Sequence, residues 1–373
     1  MLQNNKIKIL HIIPPVQYGG GESVIKDIIL NSKEEIDSVV LLLCRSQKFE
    51  IKLTDSKINF VFFNFKELPA STKILNFIIL FIKIILTFSL KKCNVDKYNI
   101  LHCHGFPSLF IGFFYKLYNR KIKIIYTHHQ QVFISNLLIT KLFSFVYKKF
   151  DHITFVSHTI SNSFCNKFGI KYNNTVIYNP VSSLFINSQT NKIDNVNIDH
   201  LKLIYLSRFS KQKAHFDLIL SFVNNQLASI NNKFVIYFYG DGSEIDACKK
   251  LVKDNNLEQN FIFKGFVDQK KLPTDLFYYD LAIFPSFYEG FGVAAAECIA
   301  SQLPVIYNKV NDTLIEIVGD AGWGIELNDA PFFLNRLTMN DIQSKIEACI
   351  FQRNNFKEEV IANKYINLYK SIL

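Results

Sequence analysis

Two carboxylates, Glu289 and Glu297, flank the segment Glu289-Gly290-Phe291-Gly292-Val293-Ala294-Ala295-Ala296-Glu297. The apolar run Leu281–Phe284 and the breaker Pro285-Ser286 come first, so the order reads strand, loop, helix. A helix start presents free backbone N–H groups and the positive end of the helix dipole, which suit an anionic or hydroxyl-rich ligand. Gly290 and Gly292 let the backbone approach such a ligand closely, and three consecutive alanines keep the first turn slim. Glu289 on the loop and Glu297 about one turn into the helix could then grip sugar hydroxyls at two points. The alternative is a solvated loop acid followed by an acid that merely favours the dipole. Upstream, Arg208 and Lys213 follow the strand-like Leu203-Ile204-Tyr205-Leu206. A planar fork of donors beside a mobile point charge can hold a diphosphate and offset the charge it gains on leaving. Ordinary surface charge, in a stretch that also contains Lys211, is the competing reading.

Further blocks surround these residues: Phe284-Pro285-Ser286, Pro304-Val305, Glu316-Ile317-Val318 with Gly322, Tyr239-Gly240-Asp241-Gly242, and Lys264-Gly265-Phe266-Val267. In their order along the chain they resemble the donor-binding half of the retaining nucleotide-sugar glycosyltransferases of family four, whose signature is Glu, seven residues, Glu. The resemblance covers most of the second half of the chain. It implies the GT-B architecture, two Rossmann-like doubly wound α/β domains facing each other across a cleft. It also implies that Glu297 holds the ribose, Glu289 the donor sugar, Arg208 and Lys213 the diphosphate, and the backbone of Gly265 and Phe266 the base. Gly290, Phe291, Gly292 and Val293 complete the donor site. No side-chain nucleophile is implied, because in this family the leaving phosphate is thought to take the acceptor's proton. Gln302 departs from the glycine often found in the turn after the donor helix, and Asn179-Pro180 stands where many relatives carry Asn-Gly.

The chain holds no Asp-x-Asp pair of the kind that carries a metal in the other glycosyltransferase fold, so we expect no metal and no cofactor beyond a nucleotide-sugar co-substrate, with UDP favoured. Two rivals share the donor chemistry: a nucleotide-sugar epimerase of the same fold, and a protein that binds the donor without turnover. The Glu-seven-Glu block argues against the first, and retention of Arg208, Lys213 and both glutamates argues against the second.

A length of 373 residues accommodates two domains, and an apolar content of 49% excludes disorder. The net charge of +10 points to an anionic partner such as a nucleotide sugar or lipid surface. Nucleic acid is not expected, since the lysines are dispersed and no recognition motif accompanies them. Seven scattered cysteines, none in Cys-x-x-Cys, indicate reduced thiols and no zinc site. The first apolar run, Ile7–Ile13, is too short for a secretory core, so a cytoplasmic location is expected.

Strand-like and helix-like segments alternate from the start: 7–13, 22–30, 39–43, 58–63, 74–90, 100–103, 122–126 and 175–178, then a second series from 203. This is the grammar of parallel doubly wound sheets. The expected division is a first domain at 1–181 that binds the acceptor, a donor domain at 200–355, a polar linker around 180–200, and a final helix at 356–373 returning to the first domain. The turn Gly19-Gly20-Gly21-Glu22 opens a helix after the first strand, where its N–H groups could meet the donor phosphate; it also resembles the family's Gly-Gly-x-Glu turn, though a glycine turn can be purely structural.

His102-Cys103-His104 and Thr127-His128-His129 end two consecutive strands. The resemblance places His104 on the acceptor side and His129 near the transferring sugar and its phosphate; His128 points into the sheet or toward the acceptor. A metal reading of these histidines lacks a carboxylate or cysteine partner at ligand spacing. Residues 74–90 are almost wholly apolar, but Lys83 near their centre disfavours a span. They form either a core helix or a face that meets the inner leaflet, aided by Lys116, Arg120, Lys121 and Lys123, as transfer to a lipid-linked glycan would require.

Overall fold

A computed structural model describes residues 6–13, 20–43, 46–62, 95–131, 136–169, 173–187, 196–225, 233–267 and 271–373. The chain divides into two compact units, Met1–Pro180 with Glu358–Leu373, and Val181–Lys357.

The first unit alternates β1 (Ile7–Ile13), α1 (Gly20–Ser32), β2 (Ile36–Leu42), α2 (Gln47–Asp55), β3 (Asn59–Phe62), β4 (Ile100–His104), α3 (Phe106–Tyr118), β5 (Lys123–His128), α4 (Leu137–Tyr147), β6 (His152–Phe155), α5 (His158–Phe168) and β7 (Asn174–Val176). Its seven strands run in the order β3-β2-β1-β4-β5-β6-β7, all parallel. Helices on a parallel sheet bury both of its faces, which is why every residue of β4, its two histidines included, is buried and β1 is buried from Ile9 onward. Ile9, Leu10, Ile12, Ile100, Leu101 and Cys103 are buried accordingly. Residues 74–90 lie outside the described residues.

The second unit contains α6 (Ser183–Asn187), β8 (Leu201–Leu206), α7 (His215–Asn224), β9 (Phe234–Tyr239), α8 (Ile245–Asp254), β10 (Phe261–Gly265), α9 (Leu272–Asp275), β11 (Leu281–Phe284), α10 (Val293–Ala300), β12 (Val305–Asn308), α11 (Asp312–Val318), β13 (Gly322–Ile325), α12 (Ala330–Arg336) and α13 (Met339–Gln352). Its sheet has the order β10-β9-β8-β11-β12-β13, again parallel. The stretch expected as a linker is partly built into this unit. Val181 N–H donates to Phe356 O at 2.8 Å, and Phe185 is buried on α6 with its carbonyl accepting from Ser301 Oγ at 3.3 Å. An aromatic side chain with a core to enter overrides the polar composition around it.

The last helix, α14 (Glu358–Ile372), belongs to the first unit and packs along α1. It buries Ile361, Tyr365, Ile366 and Tyr369. Each sheet reverses its strand order once, between β1 and β4 in the first unit and between β8 and β11 in the second. Ligands of open parallel sheets bind beyond the carboxyl ends of the strands at such switch points.

Candidate active site

At the second switch point, β8 leads to Arg208 and β11 leads to Glu289, so neighbouring strands deliver the two motifs to one end of the sheet. Lys213 closes a short 3₁₀ turn, Lys211–Lys213, whose carbonyl accepts from Tyr205 Oη at 2.7 Å. From there Lys213 Nζ reaches both oxygens of Glu289, at 2.6 and 2.7 Å. Both side chains are largely shielded from water, which makes this a desolvated, bidentate pair. Arg208 is exposed and follows the end of β8.

The loop that carries Glu289 is clamped carbonyl by carbonyl. Asn308 Nδ2 donates to Pro285 O at 3.1 Å, Asn311 Nδ2 to Ser286 O at 3.0 Å, Gln212 Nε2 to Tyr288 O at 2.7 Å, and Thr313 Oγ1 to Glu289 O at 3.0 Å. Asn311 also caps α11 through its oxygen and the amide of Leu314, at 3.2 Å. These residues position the carboxylate before any ligand arrives; sequence reasoning missed all four.

Gly292 is the N-cap of α10 with φ +83°, the left-handed conformation that glycine adopts without strain. Val293 opens the helix, and Glu297 lies in its second turn, half-buried. The ring of Phe291 is buried edge-on against Phe356, so only its backbone is available to a ligand. Gly265, at φ +71°, ends β10, and Phe266 beyond it is exposed. The structure thus brings Arg208, Lys213 and Glu289 to one switch point and turns Phe291 into core.

In the first unit the histidines form a network that includes one member the sequence did not single out. His11 on β1 sits in register with His102 on β4. Its Nδ1 lies 3.2 Å from His104 Nε2, and His104 Nδ1 lies 3.3 Å from His129 Nε2. Ser38 Oγ stands 3.4 Å from His11 Nε2 at the other end. His102 is held separately, with Nδ1 2.7 Å from Tyr369 Oη and Nε2 2.6 Å from Thr127 Oγ1. Donor atoms of His11, His102 and His104 come within 4.8 Å of one another, a spacing a metal ion could use. Yet both ring nitrogens of His102 and of His104 already have partners, and among the described residues no carboxylate belongs to the group. His11, His104 and His129 are therefore arranged as a hydrogen-bonded chain, with His102 anchored beside it. Burial pushes the pKa of His11 down to about 3, and that of His102 and His104 well below the ordinary histidine value, with neighbouring rings adding to the effect in the latter two. These rings are neutral at physiological pH.

His128 was expected to face the acceptor or the sheet, and the structure places it in the core. Strand alternation sends it to the opposite side from Thr127 and the half-exposed His129. It lies between Phe155 and Tyr147 with Phe164 on its edge, and its Nε2 has no partner. Burial lowers its pKa to about 3. Gly20 and Gly21 form the first turn of α1 at the carboxyl end of β1, while Gly19 lies outside the described residues.

This geometry can be set beside known proteins. A family model of group 1 glycosyl transferases matches residues 188–330, and one of glycosyltransferase family 4 matches residues 18–183. The chain belongs to the group 1, family 4 glycosyltransferases. Over 98% of its length this glycosyltransferase is 28% identical to the whole of an uncharacterized 41.2 kDa protein in the cps region of Klebsiella pneumoniae. Over 75% of its length it is 24% identical to the O-antigen biosynthesis glycosyltransferase WclY of Escherichia coli, covering 81% of that protein. Among solved structures, Anabaena Alr3699/HepE in complex with UDP and glucose is similar with a TM-score of 0.78 at 19% identity, over 98% of this chain and 100% of that one. The glycosyltransferase has the GT-B fold expected from its motifs.

Proposed function

We propose that this glycosyltransferase moves a hexose from a UDP-sugar, with retention and without a metal ion, to a growing lipid-linked glycan in bacterial surface polysaccharide synthesis. The observation that carries the reading is the desolvated Lys213–Glu289 pair at the β8/β11 switch point, where β8 also delivers the exposed Arg208. A diphosphate bearing two or more negative charges competes with Glu289 for Lys213, and Arg208 adds a forked donor set. Once Lys213 turns to phosphate, both Glu289 oxygens become free to accept from sugar hydroxyls. Glu297 on α10 takes the ribose, and the backbone at Gly265 and Phe266 takes the base. In the reaction the bond from the anomeric carbon to phosphate oxygen breaks, the bond to the acceptor oxygen forms, and the acceptor's proton passes to the phosphate. The cps-region and O-antigen relatives support the polysaccharide setting, and the UDP in a structural neighbour supports the choice of base.

The test is a donor screen by thermal shift followed by a transfer assay with and without EDTA. UDP-sugars at about 100 times their Kd should stabilise the protein by about 2.7 kcal/mol. Transfer should persist in chelator; activity lost in EDTA and restored by manganese would remove metal independence, and a shift with GDP-sugars alone would overturn the base.

A further inference from the structure

Helix α4 has the wrong outside for a helix in water. Its sequence, LLITKLFSFVY, is apolar almost all round, and its inner face already buries Phe143, Val146 and Tyr147. The outer stripe still carries Leu138 at 76% exposure, Leu142 at 56% and Phe145 at 52%, with Leu137 beside them. These positions recur at three- and four-residue steps, so they form one continuous face. Phe113 of α3 meets Phe145 edge-on, and one turn further along α3 the exposed Leu117 and Tyr118 extend the same apolar area. Contiguous exposure of this kind on a soluble chain marks an interaction surface.

The charges around it select the partner. Lys141 lies within the stripe, and the exposed Lys148 and Lys149 follow the helix, with Lys149 Nζ 5.0 Å from the centre of the Phe145 ring. Exposed Arg120 and Lys121 follow the end of α3. No aspartate or glutamate occurs between Asp96 and Asp151. Asp151 itself is occupied by Lys116 Nζ at 2.6 Å and by the Ile124 amide at 2.8 Å. Lysine stems lying along an apolar stripe with their ammonium groups at its margin suit the boundary between acyl chains and anionic headgroups. Eleven residues make a helix of only about 16 Å, too short to cross a bilayer core of about 30 Å. Such a helix can lie on a membrane and cannot span it.

We propose that the outer face of α4, with the end of α3, seats this chain on an anionic lipid bilayer. The inference rests on the reading that the acceptor is lipid-linked, and it differs from the earlier expectation in its residues: Lys116 is turned inward onto Asp151 and does not belong to the surface.

Flotation with phosphatidylglycerol/phosphatidylcholine vesicles tests it on the full chain. Wild type should float with these vesicles, bind pure phosphatidylcholine weakly, and release in about 1 M salt, where electrostatic reach falls to about 3 Å. Leu138→Ser with Leu142→Ser should lower the bound fraction roughly tenfold. Charge reversal at Lys141, Lys148 and Lys149 to Glu should cost at least about fivefold per site and abolish the preference for phosphatidylglycerol. All altered side chains are exposed, so both variants should keep the wild-type melting shift with UDP-glucose. Wild type that never floats, or variants that float as wild type does, would overturn the proposal. So would a leucine variant that turns a dimer into a monomer without changing lipid binding, because the face would then pair with a second copy. Vesicle binding without any UDP-sugar shift would leave the surface standing and remove the donor reading.

Discussion

Removing Lys213 and removing Glu289 are not equivalent acts. Lys213→Met leaves a buried carboxylate without its cation, so it should lower stability as well as turnover, by about 3–5 kcal/mol for a fully buried pair and less for this partly shielded one. Adding Glu289→Leu should restore much of the melting temperature while turnover stays about 10²–10³ below wild type, as expected when a preorganised charged group is lost. If the double variant recovers both stability and rate, the pair is structural. His128 offers the opposite experiment. Its Nε2 is buried and unpaired among aromatic rings, so His128→Phe should be neutral or stabilising by about 1 kcal/mol, read by urea denaturation. The buried histidines also set a pH dependence. Their folded pKa values lie below the unfolded value near 6.5, so the unfolded chain binds more protons as pH falls. This stability is present above about pH 6.5 and is lost on acidification, for His11 and His128 down to about pH 3 and by about 1.4 kcal/mol per pH unit for each of these two rings. His128→Phe should make the slope shallower by one proton.

At the scale of elements, the strands were legible because a parallel strand covered on both faces is an uninterrupted apolar run; the run read as Leu281–Phe284 is β11 itself. The donor motifs were legible for a related reason, since each follows such a run directly. The clamps on the Glu289 loop were not, because Asn308, Asn311 and Thr313 find their carbonyls only through the pairing of Phe284 with Tyr307 across β11 and β12. His11 was hidden in the same way, its position beside His102 being a property of register. His128 and His129 are adjacent, and alternation decides which one faces the core, something composition cannot express. Glycines make the strand ends testable. A Cβ on Gly240, at φ +137°, would sit 1.9 Å from Ser207 O, so Gly240→Ala should cost about 2–4 kcal/mol and separate the ends of β8 and β9. Gly292→Ala meets a movable neighbour, Leu314 Cδ2 at 2.8 Å, but keeps the strained φ of +83°. It should weaken donor binding more than it lowers the melting temperature, which parallel thermal melts with and without UDP-glucose would resolve.

At the scale of the molecule, α14 completes the first unit from the far end of the sequence. Truncation after Lys357 removes Tyr365 and Tyr369 from the core and leaves His102 Nδ1 without its hydroxyl partner. The first unit should then lose cooperative melting and become sensitive to proteolysis, while the second unit keeps its UDP-sugar shift. If the truncated chain melts as wild type does, α14 is dispensable and the network does not depend on it. The placement of Tyr369 also bears on the order of events at the ribosome. Everything in Val181–Lys357 is translated before Tyr369, whose hydroxyl meets His102 Nδ1 in the core of the first unit. The nascent amino-terminal half must therefore wait, with the face of α1 that α14 will cover still open, until synthesis has passed through the whole of the second unit. During that interval its apolar surface stays exposed, and the second unit, though encoded later, is the first whose residues are all available for folding.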